Sequence, residues 1–208
     1  MVAELVFYTN PMSRGRIVRW MLEEVGAPYR TEVVEYDAMK SPAYLAVNPM
    51  GKVPAIKHGD TVVTEAAAIC AYLADAFPQA GLAPPVNDAR RGPYYRWLFF
   101  AAGCVEPAGW FAAMQLETPP ERRRMLGFGS MKDTLDTLEL ALQPGPYIVG
   151  DQFTAADVYV GSQIGWGTNF GWLEKRPSFM AYLERVLARP AWKRAWEIDE
   201  ALAPTKTA

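Results

Sequence analysis

Residues 48–65 read Asn48-Pro49-Met50-Gly51-Lys52-Val53-Pro54-Ala55-Ile56-Lys57-His58-Gly59-Asp60-Thr61-Val62-Val63-Thr64-Glu65. Two short runs of strand-forming residues, Val53 to Lys57 and Thr61 to Thr64, flank a Gly-Asp turn, and that order predicts a β-hairpin. This half of the sheet is therefore antiparallel. Upstream, Leu5 to Tyr8 is an apolar run closed by Asn10-Pro11, a strand followed by a turn. From Ser13 onward, Ile17, Val18, Met21, Leu22 and Val25 recur at three- and four-residue intervals, which predicts a helix, and Gly26 stands where a left-handed cap would end it. Thr31 to Tyr36 alternates and is rich in β-formers. Strand, helix and strand in that order imply a parallel pair with a right-handed crossover.

Between these halves, Ser41 to Val47 forms a short helical segment broken by proline. Glu65 to Phe77 reads as an alanine-rich amphipathic helix with Ile69, Leu73 and Phe77 on one side, ended by Pro78. The pattern is β-α-β followed by β-β-α, a mixed four-stranded α/β domain over residues 1–78. Residues 79–87 (QAGLAPPVN) are aperiodic and rich in Pro, Gly and small side chains, as a linker is. Beyond them residues 88–208 read as an all-helical domain, with helices at 88–116, 120–142, 154–164, 178–189 and 191–201 and a tail from Ala203 to Ala208 that frays.

With 208 residues, half of them hydrophobic, the chain can bury a substantial core. A formal charge of -2 supplies no basic field for phosphate backbones, so no nucleic-acid partner is expected. The opening MVAELVFYTN has no signal-peptide pattern. The apolar stretch from Trp97 to Leu116 contains Glu106 and Pro107 and reads as a buried, kinked helix rather than a membrane span. Only Cys70 and Cys104 are present, with no CxxC pair and no metal cluster, which fits a reducing, cytoplasmic setting.

Three motifs in this order and spacing make the chain resemble the cytosolic-type, bacterial-like glutathione S-transferases over essentially its whole length. The first is Phe7-Tyr8-Thr9-Asn10-Pro11-Met12-Ser13-Arg14. In the thioredoxin superfamily the reactive group sits at this N-terminal end of the first helix, where unpaired N–H groups and the helix dipole stabilise a thiolate. A serine hydroxyl there donates to the glutathione sulfur and lowers a thiol pKa that is otherwise about 8.5. By analogy with the serine-using classes, Ser13 is the candidate catalytic residue; Tyr8, as in the tyrosine-using classes, and Asn10 are its rivals. Ser13 also reads simply as a helix cap. Arg14 and Arg16 are candidates to assist by charge.

The second motif, Asn48 to Pro54, resembles the family's glutathione backbone clamp. The resemblance implies a cis Pro54 and a preceding Val53 whose main chain pairs with the cysteinyl part of glutathione like a neighbouring strand. It also implies that Lys52 meets a glutathione carboxylate; Lys40 is a further candidate for the glycine end. The third is Thr64-Glu65-Ala66, where the family has an acidic or amide residue followed by serine. The helix N-terminus then receives the γ-glutamyl carboxylate through the Ala66 N–H, with Glu65 near the ligand's amino group. Alanine at 66 removes one hydroxyl from that pattern.

The expected fold is thus a thioredoxin-like N-terminal domain followed by an all-α domain that carries the electrophile pocket. The expected function is glutathione S-transferase in detoxification, with glutathione as co-substrate, a small apolar electrophile, no metal, no membrane and a homodimeric assembly. Glutathione peroxidase is a possible side activity. Alternatives are an isomerase or dehalogenase on the same scaffold, or a non-catalytic interaction module. Tyr94, Trp97, Phe100, Trp110, Phe111, Trp166 and Phe170 mark the expected pocket region, although aromatics at helical spacing also read as core. His58 reads as an exposed turn residue, both cysteines as inert, and Arg122 to Arg124 as a solvated helical face. Thr154 and Asp157 form a capping-box signature with Phe153 and Val158 as its staple, a structural feature.

Overall fold

The structure, a computed structural model, describes residues 3–203. The expected tail is outside this range except for Ala203. Four strands, β1 (Leu5–Thr9), β2 (Arg30–Val33), β3 (Ala55–His58) and β4 (Thr61–Thr64), form one sheet in the order β2-β1-β3-β4. β1 runs parallel to β2 and antiparallel to β3, and β3 pairs antiparallel with β4 through the Gly59-Asp60 turn. β2 ends at Val33 rather than Tyr36 because the chain turns at Glu35, whose C=O accepts the Ala38 N–H at 3.0 Å.

Helix α1 (Gly15–Val25) buries the apolar stripe seen in the sequence and ends at Gly26, at φ 69°, a left-handed conformation that glycine adopts without a Cβ penalty. The short α2 (Pro42–Leu45) is capped by Ser41, whose hydroxyl accepts the Tyr44 N–H at 3.3 Å. Helix α3 (Ala66–Ala76) packs against α1. Phe7 and Ile56 from the sheet and Ile17, Met21, Ile69 and Leu73 from these helices are almost wholly buried and form the core of this part.

The chain divides into two compact units: residues up to Ala80 together with those from Arg189 onward, and Gly81–Ala188. The last helix, α9 (Pro190–Leu202), packs on α1 and so falls with the sheet rather than with the helical stretch to which residues 88–208 were assigned. A buried ion pair accounts for this. Arg19 on α1 and Asp199 on α9 are each about 1% exposed and meet at 3.1 Å. Arg19 also donates to Tyr29 Oη at 3.1 Å and Thr31 Oγ1 at 2.7 Å, and it lies over the rings of Phe7 and Tyr29. Burial raises the Asp199 pKa against the pull of Arg19, and burial pushes the Tyr29 phenol up to about 12. Arg189 reinforces the contact with two 2.7 Å bonds to Glu24.

In the helical unit, α4 (Arg91–Phe100) passes through a π-turn over Ala101–Val105 into α5 (Glu106–Ala113). Where a kink is expected between Trp97 and Leu116, the structure has this π-turn, and Pro107 accounts for it. The proline offers no N–H to the carbonyl four residues back, and the ladder widens so that the Glu106 N–H bonds Ala101 O. The expected helix at 120–142 is instead a 3₁₀ turn at Pro120–Met125 followed by α6 (Met131–Ala141). Gly129 at φ 63° breaks the run, and Ser130 starts the new helix by accepting the Asp133 N–H at 3.1 Å. Helix α7 (Ala155–Phe170) extends beyond the expected Ile164 to Gly171 at φ 78°, and α8 (Pro177–Leu187) packs on it.

Asp157 anchors this unit. Its carboxylate is fully buried and accepts four hydrogen bonds: the Ile148 and Thr154 N–H groups at 2.8 Å each, Thr154 Oγ1 at 3.0 Å and Tyr182 Oη at 2.9 Å. Burial raises its pKa while these bonds oppose the rise. Because removing the carboxylate leaves several buried donors unpaired, Asp157→Ala should cost about 3 kcal/mol or more in urea unfolding. A loss below about 1 kcal/mol would show that the network is not a principal support.

Candidate active site

The sheet register brings the three motifs to one place. Tyr8 lies opposite Ala55, and Ala55 lies opposite Thr64. The turn that follows β1, the residues that precede β3 and the residue that follows β4 therefore emerge at the same end of adjacent strands, which are spaced about 4.8 Å apart.

The first wall is the turn Asn10–Ser13. Asn10 is buried and both polar atoms of its side chain are engaged: Nδ2–H donates to Val34 O at 3.2 Å, and Oδ1 accepts the Met12 N–H at 3.0 Å. Its carbonyl accepts from Ser13 twice, from N–H at 3.1 Å and from Oγ–H at 2.7 Å. Ser13 Oγ in turn accepts the Gly15 N–H at 2.9 Å. The hydroxyl thus already serves the helix start, although the residue at the formal cap position is Arg14. Ser13 is half-buried. Tyr8 is half-buried too, its ring 6.0 Å from that of Tyr44 and packed with Val53 on a small cluster of Val34, Met39 and Tyr44. Arg16 is engaged elsewhere: it donates to Pro11 O at 2.5 Å, pairs with Glu200 at 2.8 Å and lies over Trp196.

The second wall precedes β3. The Val53–Pro54 bond is cis. Two side chains hold the bend from behind, each donating to Lys52 O: Tyr44 Oη at 2.8 Å and Asn48 Nδ2 at 2.7 Å. Burial pushes the Tyr44 phenol up to about 12, with Tyr8 adding to the rise, so it stays a donor at all ordinary pH. Asn48 Oδ1 also accepts the Met50 N–H at 3.0 Å. Gly51, at φ 57°, is required here because a Cβ would meet Met39 O at 2.5 Å. Lys40 Nζ donates to Met50 O at 2.7 Å, and the Lys52 side chain is exposed. β3 begins only at Ala55, and among the described residues no hydrogen bond engages the main chain of Val53. That leaves one N–H and one C=O free for an extended partner.

The third wall is the start of α3. Glu65 is exposed and sits at φ 66°, ψ 115°, a backbone region costly for a side-chain-bearing residue, and its side chain makes no cap bond. The helix's first N–H groups, beginning with Ala66, have no intrahelical acceptor.

Comparisons with known proteins identify the family. Residues 12–76 match the family model for the N-terminal domain of glutathione S-transferase, and residues 119–185 match its C-terminal domain. Glutathione S-transferase GstA of Escherichia coli O157:H7 is 32% identical over 162 residues, 77% of each chain. A glutathione transferase structure from Methylococcus capsulatus is 31% identical with a TM-score of 0.77, covering 95% of this chain and 99% of that one. The chain belongs to the glutathione S-transferase family. A sphingomonad glutathione S-transferase solved in complex with glutathione is 27% identical, with a TM-score of 0.77 over 94% of this chain and 98% of that one.

Within this transferase fold, several side chains that shape the site carried no sequence signal assigned to it. Tyr44 and Asn48, which both bond Lys52 O, carry no local signal for this role beyond a polar residue before Pro49-Met50-Gly51. His58 is half-buried rather than exposed, bonded to Tyr72 Oη at 3.0 Å and stacked on Phe77. Cys70 is buried, and burial raises both cysteine pKa values, which keeps the thiols protonated. Of the aromatic candidates in the helical unit, Tyr94 and Trp97 are buried, whereas Trp110 and Phe170 are 47% and 73% exposed.

The backbone of Glu65 gives a direct check. Glu65→Gly should leave the protein as stable as the parent or more so by about 1 kcal/mol, since relief of roughly 1–3 kcal/mol of strain exceeds the entropy cost of glycine. Glu65→Ala keeps the strain and should show no such gain. Chemical unfolding of both variants checks this, and a Glu65→Gly protein less stable than Glu65→Ala would contradict it.

Proposed function

We propose that the chain binds glutathione along the Val53–Pro54 segment, ionises its thiol beside Ser13 and transfers the resulting sulfur nucleophile to a small apolar electrophile. The observation that carries this reading is the unpaired Val53 main chain lying, through the strand register, beside the Asn10–Ser13 turn. The glutathione cysteinyl residue pairs with Val53 as one antiparallel strand pairs with another. Its γ-glutamyl carboxylate meets the first N–H groups of α3 near Ala66, and its ammonium group meets Glu65. Lys52 lends positive charge toward a carboxylate.

Chemically, the bound thiol releases its proton to water and the thiolate is held by the Ser13 hydroxyl and the N–H groups opening α1. The sulfur then attacks the electrophilic carbon, a carbon–sulfur bond forms, and the leaving group departs with the carbon's former bonding pair. Ser13 is favoured over Asn10 because both polar atoms of the Asn10 side chain already hold structural bonds, Oδ1 within the turn and Nδ2 to Val34 O. Tyr8 is the stronger rival, since it packs beside Val53. The helical domain supplies the electrophile's pocket, and a homodimer in the cytoplasm is the assembly and location that accompany this reading. The same thiolate would reduce a hydroperoxide.

Retention on immobilised glutathione and conjugation of a chloronitroarene test the proposal. The parent protein should do both. Ser13→Ala should retain binding and lose at least about tenfold in kcat/KM, as loss of a charge-stabilising donor does. Tyr8→Phe should change kcat/KM by less than about threefold. Binding without conjugation by the parent would favour the interaction module, and loss of turnover in Tyr8→Phe alone would transfer the catalytic role to Tyr8.

A further inference from the structure

Thr9, the last residue of β1, is fully buried, and its hydroxyl oxygen has no hydrogen-bond partner among the described residues. A buried hydroxyl left unpaired is costly, and valine would fill the same space without that cost. Packing alone therefore does not explain the oxygen. Its position is informative: a Cβ built on Gly15 would collide with Thr9 Oγ1 and would lie 3.1 Å from Ser13 Oγ. The Thr9 hydroxyl occupies the space in which a side chain at position 15 would begin, a space that Ser13 Oγ also borders, and only glycine at position 15 admits it.

The hydrogen bonds of Ser13 show what the second hydroxyl can do. In the structure Ser13 directs its hydrogen to Asn10 O and accepts the Gly15 N–H, which leaves one lone pair on Oγ unused. To hold a thiolate, Ser13 must turn its hydrogen away from Asn10 O. That carbonyl keeps the Ser13 N–H at 3.1 Å, so the turn does not orphan it. The rotated Ser13 keeps the Gly15 N–H as one donor to its oxygen, and its second lone pair is open to a further donor.

Resting on the role given to Ser13 above, we propose that Thr9 is a positioning residue that donates its hydroxyl hydrogen to Ser13 Oγ when Ser13 donates to the glutathione sulfur. The chain Thr9 to Ser13 to sulfur is then cooperative, since an oxygen that accepts a hydrogen bond becomes a better donor. No proton changes hands along it. The protein would keep an unpaired hydroxyl in the ligand-free state and satisfy it in the complex.

The test measures the pKa of bound glutathione, from thiolate ultraviolet absorbance and from the acid limb of kcat/KM with a chloronitroarene, in the parent, Thr9→Val, Thr9→Ser, Ser13→Ala and the Thr9→Val/Ser13→Ala double variant. Thr9→Val should unfold at the same urea concentration as the parent or a higher one. It should raise the bound-thiol pKa by about half a pH unit, so that kcat/KM falls about threefold below that pKa. Thr9→Ser should restore the parent value, and Thr9→Val should add nothing in the Ser13→Ala background. A bound-thiol pKa in Thr9→Val equal to the parent's, with Ser13→Ala shifted, would overturn the role of Thr9 and leave Ser13 standing, as would Thr9→Ser behaving like Thr9→Val. An unshifted Ser13→Ala that still binds glutathione would instead remove Ser13 from the mechanism, and this proposal with it.

Discussion

One row of the sheet, Tyr8 opposite Ala55 opposite Thr64, fixes where every candidate ligand contact lies. A one-residue slip in either pairing would turn alternate side chains to the other face and pull the three motifs out of line. The register is held by the buried face of β1 and β3, where Phe7 and Ile56 are fully enclosed, and by the tight Gly59-Asp60 turn. Asn10 then extends the order beyond the strand. By tying its side chain to Val34 and Met12, and its carbonyl to Ser13, it converts the end of β1 into a fixed start for α1.

The remaining support comes from behind these walls. Tyr44 and Asn48 both bond Lys52 O, and the main chain of the next residue, Val53, makes no hydrogen bond among the described residues. Helix α1 is held on its far side by Arg19, whose charge is buried against Asp199. Such a pair is poor evidence for net stability, because both ions lose water, but removing one partner would strand the other at a cost of about 3–5 kcal/mol. Its effect is orientation: α1 is fixed relative to the sheet, and with it the N–H groups that face the thiolate in the proposed complex.

Much of this was legible in the sequence because its signals are local. The Gly-Asp hairpin, the α1 stripe with Gly26, and the Thr154–Asp157 box each lie within a dozen residues, and the structure has all of them. The cis bond before Pro54 followed from family resemblance, not from residue chemistry. The pair Arg19–Asp199 was invisible because its members stand 180 positions apart and each reads alone as a surface charge on an amphipathic helix. That is also why α9 was grouped with the helical domain. The helix expected at 120–142 failed for a different reason. Its periodicity runs on through Gly127-Phe128-Gly129, and the break lies in Gly129 and the Ser130 cap, signals present but outweighed by the apolar spacing. At the site, family resemblance pointed to Ser13, Tyr8 and Asn10 as candidates for the sulfur's partner, whereas the bonds that engage the Asn10 side chain link positions up to 24 residues apart and are visible only in the fold.

The central claim is that glutathione lies as an added strand against Val53 with its sulfur at the β1–α1 turn. A crystal structure of the protein with reduced glutathione tests it most directly. The account requires the cysteinyl N–H and C=O to pair with the Val53 C=O and N–H, and the sulfur to lie within hydrogen-bonding reach of Ser13 Oγ. Glutathione bound with the Val53 main chain unpaired, or with its sulfur against Tyr8 and away from Ser13, would contradict it.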